Sequence, residues 1–508
     1  MRMEEEDSIQ RSNSLPEDEI DDEISTNDDI FLSQKQKVAL ISAMISNFST
    51  SFNVMNISVV LPILQDLYLG TSEDDAFCAS SLLGGMMLGQ VIGGILGDSC
   101  LGRLGSLKLV MFVQFIASLG SAFIWSNNIY IWLAVWRFIL GIGAGAVYPL
   151  AATLSSEQSQ GTSANNEPSP KEKIQQLRSV VWTFSMQGIG FLTVPLIAVP
   201  LLYFTSDESL DIVWRILLGI GCIPGLLLAL LQLTCYPTND IEAIPQTEPD
   251  PMDVIEEIII EERREPLIIH ADEDMRNDTT SVHNSELSLW HIIMNEPNLF
   301  QKLLGTAGTW FLFDILFYGN TLFQPIVMEA AFGGGDQEDE VIKKAARNTL
   351  ILSLIALPGY GVSALIIGKR IFNIVQTPRY VQMQGFVLMG FLYSVIGAYW
   401  HELQRIPSLL VFIYGLTFFF ANYGPNTTTF VFPSLVFSKD CRSTLNGICA
   451  ASGKFGALLG AMLFAPTAAA IGDNHVMLIC AGICVIAFGL TKIFTKINFN
   501  DGAPSLAE

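Results

Sequence analysis

Residues 303–328 read LLGTAGTWFLFDILFYGNTLFQPIVM, an apolar run interrupted near its centre by one carboxylate, Asp314. At about 1.5 Å per residue such a run, wound as a helix, is longer than the roughly 30 Å hydrocarbon layer of a bilayer. Asp314 then falls near mid-membrane, where a lone charge costs several kcal/mol unless it is protonated, paired or facing water. Trp310 and Tyr318 stand four residues before and after it, so indole N–H, carboxyl and phenol project from one helix face. That face is expected to hold a polar substrate or a proton.

Working outward, half of the 508 residues are hydrophobic, a composition typical of a polytopic membrane protein. Further apolar runs fall near residues 38–64, 76–97, 106–126, 130–154, 179–203 and 212–235, and then, with 299–328 as the seventh, near 347–368, 380–400, 407–432, 444–467 and 474–494. The expectation is an all-α polytopic membrane protein with twelve transmembrane helices in two six-helix pseudo-repeats. The domain reading is an acidic cytoplasmic tail (1–37), a first bundle (38–236), an acidic linker (237–298), a second bundle (299–494) and a short tail (495–508).

The net charge of −23 comes from two segments outside the bundles. Met1 to Asp29 carries 12 acids against 2 arginines, and Pro237 to Trp290 carries 15 acids against 3. This acidity argues against nucleic-acid binding, which needs basic surface. Lys and Arg residues, among them Lys35, Arg103, Lys108, Arg178, Lys369, Arg379, Arg442 and Lys492, gather on the side shared by both termini, which predicts that side to be cytoplasmic. Lys343, Lys344 and Arg347 are the exception on the other side. No cleavable signal sequence opens the acidic first thirty residues, so the amino terminus is expected to stay in the cytosol. Most of the 8 cysteines lie inside apolar runs without metal-ligand spacing and read as core residues. The sequons at Asn47, Asn56 and Asn426 lie within predicted spans, and that at Asn277 in the linker, so none is expected to carry a glycan.

Between the second and third spans stands Gly94-Ile-Leu-Gly97-Asp98-Ser-Cys-Leu-Gly102-Arg103-Leu-Gly105, followed by Lys108. This turn resembles the cytoplasmic signature loop of the major facilitator superfamily. The resemblance implies that Asp98 and Arg103 belong to a charge network closing an inner gate, with Gly94 and Gly102 allowing close helix approach. The fourth span carries Gly141-Ile-Gly-Ala-Gly-Ala-Val147-Tyr148-Pro149-Leu, the seventh Trp310-x-x-x-Asp314-x-x-Phe-Tyr318-Gly, and the tenth to eleventh the long block from Phe418 to Gly460, with Gly-Pro-Asn426-Thr-Thr-Thr and Gly-Lys454. Together these look like the phosphate:proton symporter family of fungi and plants, over nearly the whole membrane body. By that resemblance the phosphate contacts fall on Tyr148, Gln187, Trp310, Asp314, Tyr318, Asn426 and Lys454, a set of phenol, amide, indole and ammonium donors suited to an oxyanion. It implies inorganic phosphate with a coupled proton as cargo, no cofactor and no bound metal. Arg137, after Trp136, reads as an interface anchor or gate outside this set.

The chain departs from that family at two acids, one on the first span and one before the tyrosine of the fourth. Residues 48–58 hold none, and Val147 precedes Tyr148. Asp314 could carry the coupled proton alone. Ser49, Asn53 and Asn56 instead form a polar stripe at i, i+4 and i+7 that could contact substrate or coordinate sodium, or serve helix packing. An uncoupled carrier, a carrier of organic phosphates or polyols, and a phosphate sensor with little flux stay open as rivals. An enzyme is not expected, since no nucleophile with an adjacent base and no nucleotide-cradling loop appears. Arg11 to Pro16 around Ser14 has the spacing read by phosphoserine-binding adaptors, and the stretch at Glu256 could form a short amphipathic helix within the linker. The plasma membrane is the expected location, again by resemblance.

Overall fold

The computed structural model describes residues 34–99, 101–126, 128–157, 170–205, 209–235, 289–332, 338–371 and 374–495. Ser14, the acidic stretch 1–29 and the segment around Glu256 lie outside the described residues. Among the described residues, eleven helices are long and apolar enough to cross a membrane: α1 (Gln36–Tyr68), α2 (Glu73–Asp98), α3 (Gly102–Ala122), α4 (Ile129–Glu157), α5 (Lys173–Phe204), α6 (Leu210–Leu231), α8 (Ile342–Ile366), α9 (Pro378–Ala398), α10 (Pro407–Val436), α11 (Arg442–Ile471) and α12 (Asp473–Phe494). The twelfth, α7 (Thr309–Phe332), continues from a short helix Leu299–Leu303 through a π turn at Leu304–Gly308. Each begins and ends within several residues of an apolar run in the sequence. Helices α5 and α8 begin well before their runs, because polar residues such as Lys173 to Arg178 and Lys343 to Arg347 include good helix formers and need no apolar surroundings. A two-stranded antiparallel hairpin, β1 (Arg370–Ile371) with β2 (Ile374–Val375), joins α8 to α9.

Local chemistry explains the ends. Thr71 and Asp74 form a reciprocal capping box at the start of α2, the threonine hydroxyl accepting from the Asp74 N–H and the Asp74 carboxylate from the Thr71 N–H. The chain reverses into α3 at Gly102, whose φ of +61° favours glycine. Close helix crossings use missing side chains: a methyl group at Gly89 would collide with the Ile142 carbonyl of α4, and one at Gly456 with the Phe311 carbonyl of α7.

The two halves meet along two seams, α2 against α11 and α5 against α8. Advancing each helix number by six turns one seam into the other, as an internal duplication requires. Large apolar side chains such as Phe112, Leu226, Phe391 and Val485 point outward around the bundle, the surface a lipid-embedded protein presents.

Candidate functional site

Two helix irregularities set the site. The π turn at Leu304–Gly308 precedes Trp310, and a second at Asn422–Asn426 breaks α10, with Gly424 in a non-helical conformation (φ −103°, ψ −107°). Such turns are concentrated at functional positions because they re-aim side chains without ending the helix. Here the second places Asn426 among side chains from α4, α5, α7 and α11.

The centre is an ion pair. Lys454 Nζ of α11 donates to Asp314 Oδ2 of α7 at 2.8 Å and to the Tyr318 hydroxyl at 2.9 Å. Both charged side chains are only 3% exposed. The ammonium also lies over the Tyr318 ring at 4.2 Å and within 5.5 Å of the Tyr148 ring centre, contacts that favour a cation. Tyr148 donates to Gln187 Oε1 at 3.4 Å, and Asn426 donates to the Tyr360 hydroxyl at 2.9 Å and to Asn422 Oδ1 at 2.8 Å.

All seven residues singled out in the sequence line one buried pocket, Tyr148 and Gln187 from the first half and Trp310, Asp314, Tyr318, Asn426 and Lys454 from the second, with Phe184 and Phe317 completing the wall. Its free space, ≈ 10 Å³, holds about one water. A tetrahedral oxyanion therefore enters only as the walls part. With Asp314 ionised the Asp314–Lys454 pair is neutral; with Asp314 protonated it carries one positive charge and an ammonium released from its partner. The pair can thus couple a proton to an anion.

At one end of the bundle a second charged cluster bridges the halves. Arg103 Nη2 lies 3.0 Å from Asp98 Oδ1 and 3.1 Å from Glu157 Oε1, and donates to the Lys439 carbonyl at 2.9 Å. Asp98 accepts from the backbone N–H groups of Ser443 (3.2 Å) and Thr444 (2.6 Å) in the first turn of α11. A carboxylate of one half therefore caps a helix of the other, where the helix dipole favours a negative charge. Gly94 lies against the Ser443 and Thr444 backbone, while nothing crowds Gly102. Sequence reading missed Glu157 and Arg442, which stand 4.0 Å apart in this cluster; their signal was a charge at each of two helix ends facing the same loop.

Behind the cluster, Glu296 holds the turn between α10 and α11. It accepts from Lys302 at 2.7 Å and from the Ser438 hydroxyl at 2.6 Å, with the Cys441 thiol at 3.5 Å. Burial alone would raise the Glu296 carboxyl, but its bonds from Lys302 and Ser438 hold it below the usual range; burial pushes the Cys441 thiol up to about 11, so it stays protonated as a donor. A carboxyl depressed in the folded state contributes stability fully above its unfolded value and loses it as pH falls through the folded value. Glu296→Gln is expected to cost about 1 kcal/mol at neutral pH, with the difference from wild type in thermal midpoint shrinking below the ordinary glutamate range.

The stripe of Ser49, Asn53 and Asn56 meets Arg137. Arg137 Nη1 donates to the Asn53 carbonyl at 2.9 Å and to Asn56 Oδ1 at 3.0 Å, while the Asn53 and Asn56 amides donate to the Gly221 and Leu217 carbonyls of α6. Ser118 donates to Asn53 Oδ1 at 3.0 Å, and Ser49 Oγ accepts from Asn53. The stripe is bundle packing around a guanidinium, whose fixed charge repels a second cation. Arg137 itself is 1% exposed, which corrects its reading as an interface anchor: it holds α1 at its break beside Asn56, where a side chain enters the backbone ladder. Arg137→Ala is expected to lower unfolding stability by roughly 2–4 kcal/mol, because two buried acceptors, the Asn53 carbonyl and Asn56 Oδ1, lose their donor at once.

The profile of the Major Facilitator Superfamily matches residues 43–461. Among curated proteins, the chain is 30% identical over 505 residues to "Probable inorganic phosphate transporter 1-6" of Arabidopsis thaliana, covering 91% of each chain. It is 29% identical over 469 residues to "Low affinity inorganic phosphate transporter 5" of Petunia hybrida, covering 83% of this chain and 82% of that one. Among solved structures, the major facilitator proton:xylose symporter XylE bound to 6-bromo-6-deoxy-D-glucose superposes with a TM-score of 0.63 at 17% identity, over 91% of this chain and 96% of that one.

Proposed function

We propose that this chain, which belongs to the Major Facilitator Superfamily, carries inorganic phosphate across a membrane together with a proton, by alternating access around the Asp314–Lys454 pair. The observation that carries the reading is that pair, buried at 2.8 Å between donors suited to phosphate oxygens. The names of the relatives point to the same cargo. Protonation of Asp314 releases Lys454 to a phosphate monoanion, and Tyr148, Gln187, Trp310, Tyr318 and Asn426 orient its oxygens. Loss of the proton restores the ion pair and expels the anion. The halves rock about the site, with the cluster of Asp98, Arg103, Glu157 and Arg442 closing one side.

The side bearing that cluster is the cytoplasmic one in this reading, with both termini there and the protein in the plasma membrane, the two bundles at 38–236 and 299–494 joined by the acidic linker. The basic residues at the Asp98 end support that orientation. Proton coupling is favoured over sodium because Arg137 fills the polar stripe of α1.

Uptake of radiolabelled phosphate into proteoliposomes under an imposed pH gradient, and separately under a sodium gradient, tests the reading. Accumulation driven by the pH gradient alone is expected. Accumulation driven only by sodium refutes proton coupling, and bound phosphate without flux under either gradient refutes transport in favour of sensing.

A further inference from the structure

Adjoining the charged pocket, away from the Asp98 cluster, lies a second cavity of ≈ 130 Å³. Its walls come from both halves, chiefly Leu82, Phe191, Leu357 and Phe418, and it shares Phe317 and Tyr318 with the charged pocket. Phe191 and Phe317 stack across the two halves with ring centres 6.4 Å apart. Phosphate alone gains nothing from such a surface, since an anion loses solvation there. An apolar cavity of about 150 Å³ in another protein accommodates benzene, so this one matches an aryl group in size and chemistry.

We propose that the site accepts amphiphilic phosphate analogues, aryl phosphonates and aryl phosphate monoesters, with the anionic head at the Asp314–Lys454 pocket and the ring in the adjoining apolar cavity. This rests on the phosphate reading above and adds to it a ligand class and a second subsite. The ring enters past Phe317 and Tyr318, the wall common to both spaces, and packs against Leu82, Leu357 and Phe418. The head group meets the same donors as phosphate.

The test is inhibition of radiolabelled phosphate uptake into proteoliposomes by methylphosphonate and by phenylphosphonate, whose heads are alike and whose substituents differ in apolar area. Phenylphosphonate is expected to inhibit at concentrations about tenfold lower or better, the gain from burying the ring. Ala79→Phe and Ser353→Phe, which fill the cavity from α2 and α8, are expected to erase that advantage, each inhibition being read relative to the variant's own phosphate uptake. Where those variants do not reach the membrane, Ala79→Leu and Ser353→Val make the same comparison with smaller groups and a graded loss. Equal potency of the two phosphonates in the wild type, or an advantage that survives filling from both sides, overturns the inference with phosphate transport intact. A wild-type chain that takes up no phosphate instead overturns the underlying reading and this one with it.

Discussion

Asp314→Asn is expected to bring phosphate accumulation under a pH gradient down to background. The residue does two things that an amide cannot do together: it neutralises a buried ammonium 2.8 Å away, and it gives up that role reversibly by taking a proton. Asparagine leaves the buried Lys454 with the Tyr318 hydroxyl but without its counter-charge for the whole cycle. Removing one partner of a buried ion pair costs roughly 3–5 kcal/mol, so the variant is also expected to unfold at a lower temperature. Instability and loss of coupling are separable. Adding Lys454→Met to Asp314→Asn removes the stranded charge and is expected to restore most of the stability, because a buried pair is often replaced by apolar groups at little cost. Transport stays absent, since both the carboxyl that carries the proton and the ammonium that meets the phosphate anion are gone. Thermal unfolding and uptake measured on wild type, both single variants and the double variant complete the cycle. Normal pH-driven accumulation by Asp314→Asn sinks the proposed role of the carboxylate.

The parts of this arrangement legible in the sequence are those that depend on local pattern. Apolar run length placed the spans, and helical periodicity put Trp310, Asp314 and Tyr318 on one face; all three line the pocket. That Lys454 meets Asp314 across 140 residues has no local signature. It came from a resemblance of motifs, because periodicity says which face a side chain occupies and not which helix it meets. Arg137 was misplaced for a related reason. A basic residue beside Trp136 looks like an interfacial anchor, and only the packing of α1, α4 and α6 reveals that the Asn53 and Asn56 oxygens draw it inside. Glu157, Arg442 and Glu296 were passed over because charges at helix ends are usually solvated. Here they are engaged because the ends of two bundles converge. The β1–β2 hairpin is too short for strand alternation to show.

That convergence carries the second large effect. Asp98→Asn is expected to shift the resting population of the transporter toward the state open at the Asp98 end. The carboxylate pairs with Arg103 within its own half and caps the first turn of α11 across the seam, so its two oxygens serve both the charge cluster and the helix terminus. Asparagine keeps the shape but offers one oxygen in place of two and removes the charge that favours the dipole end. Hydrogen bonds to charged groups contribute about 1.5–3 kcal/mol each, and a net loss of about 3 kcal/mol changes a two-state ratio by roughly two orders of magnitude. Spin labels on Leu101→Cys and Asp440→Cys, both exposed at this end of the two halves, report the opening as a distance distribution. Wild type is expected to give mainly a short distance, and Asp98→Asn mainly a long one. Glu157→Gln is expected to move it the same way by less, since Glu157 contributes ion pairs, 3.1 Å from Arg103 and 4.0 Å from Arg442, rather than a helix cap. An unchanged distribution in Asp98→Asn would mean that the α2–α11 seam is held by the close packing of Gly94 and Gly447 alone, and that the charges of the signature loop do not latch it.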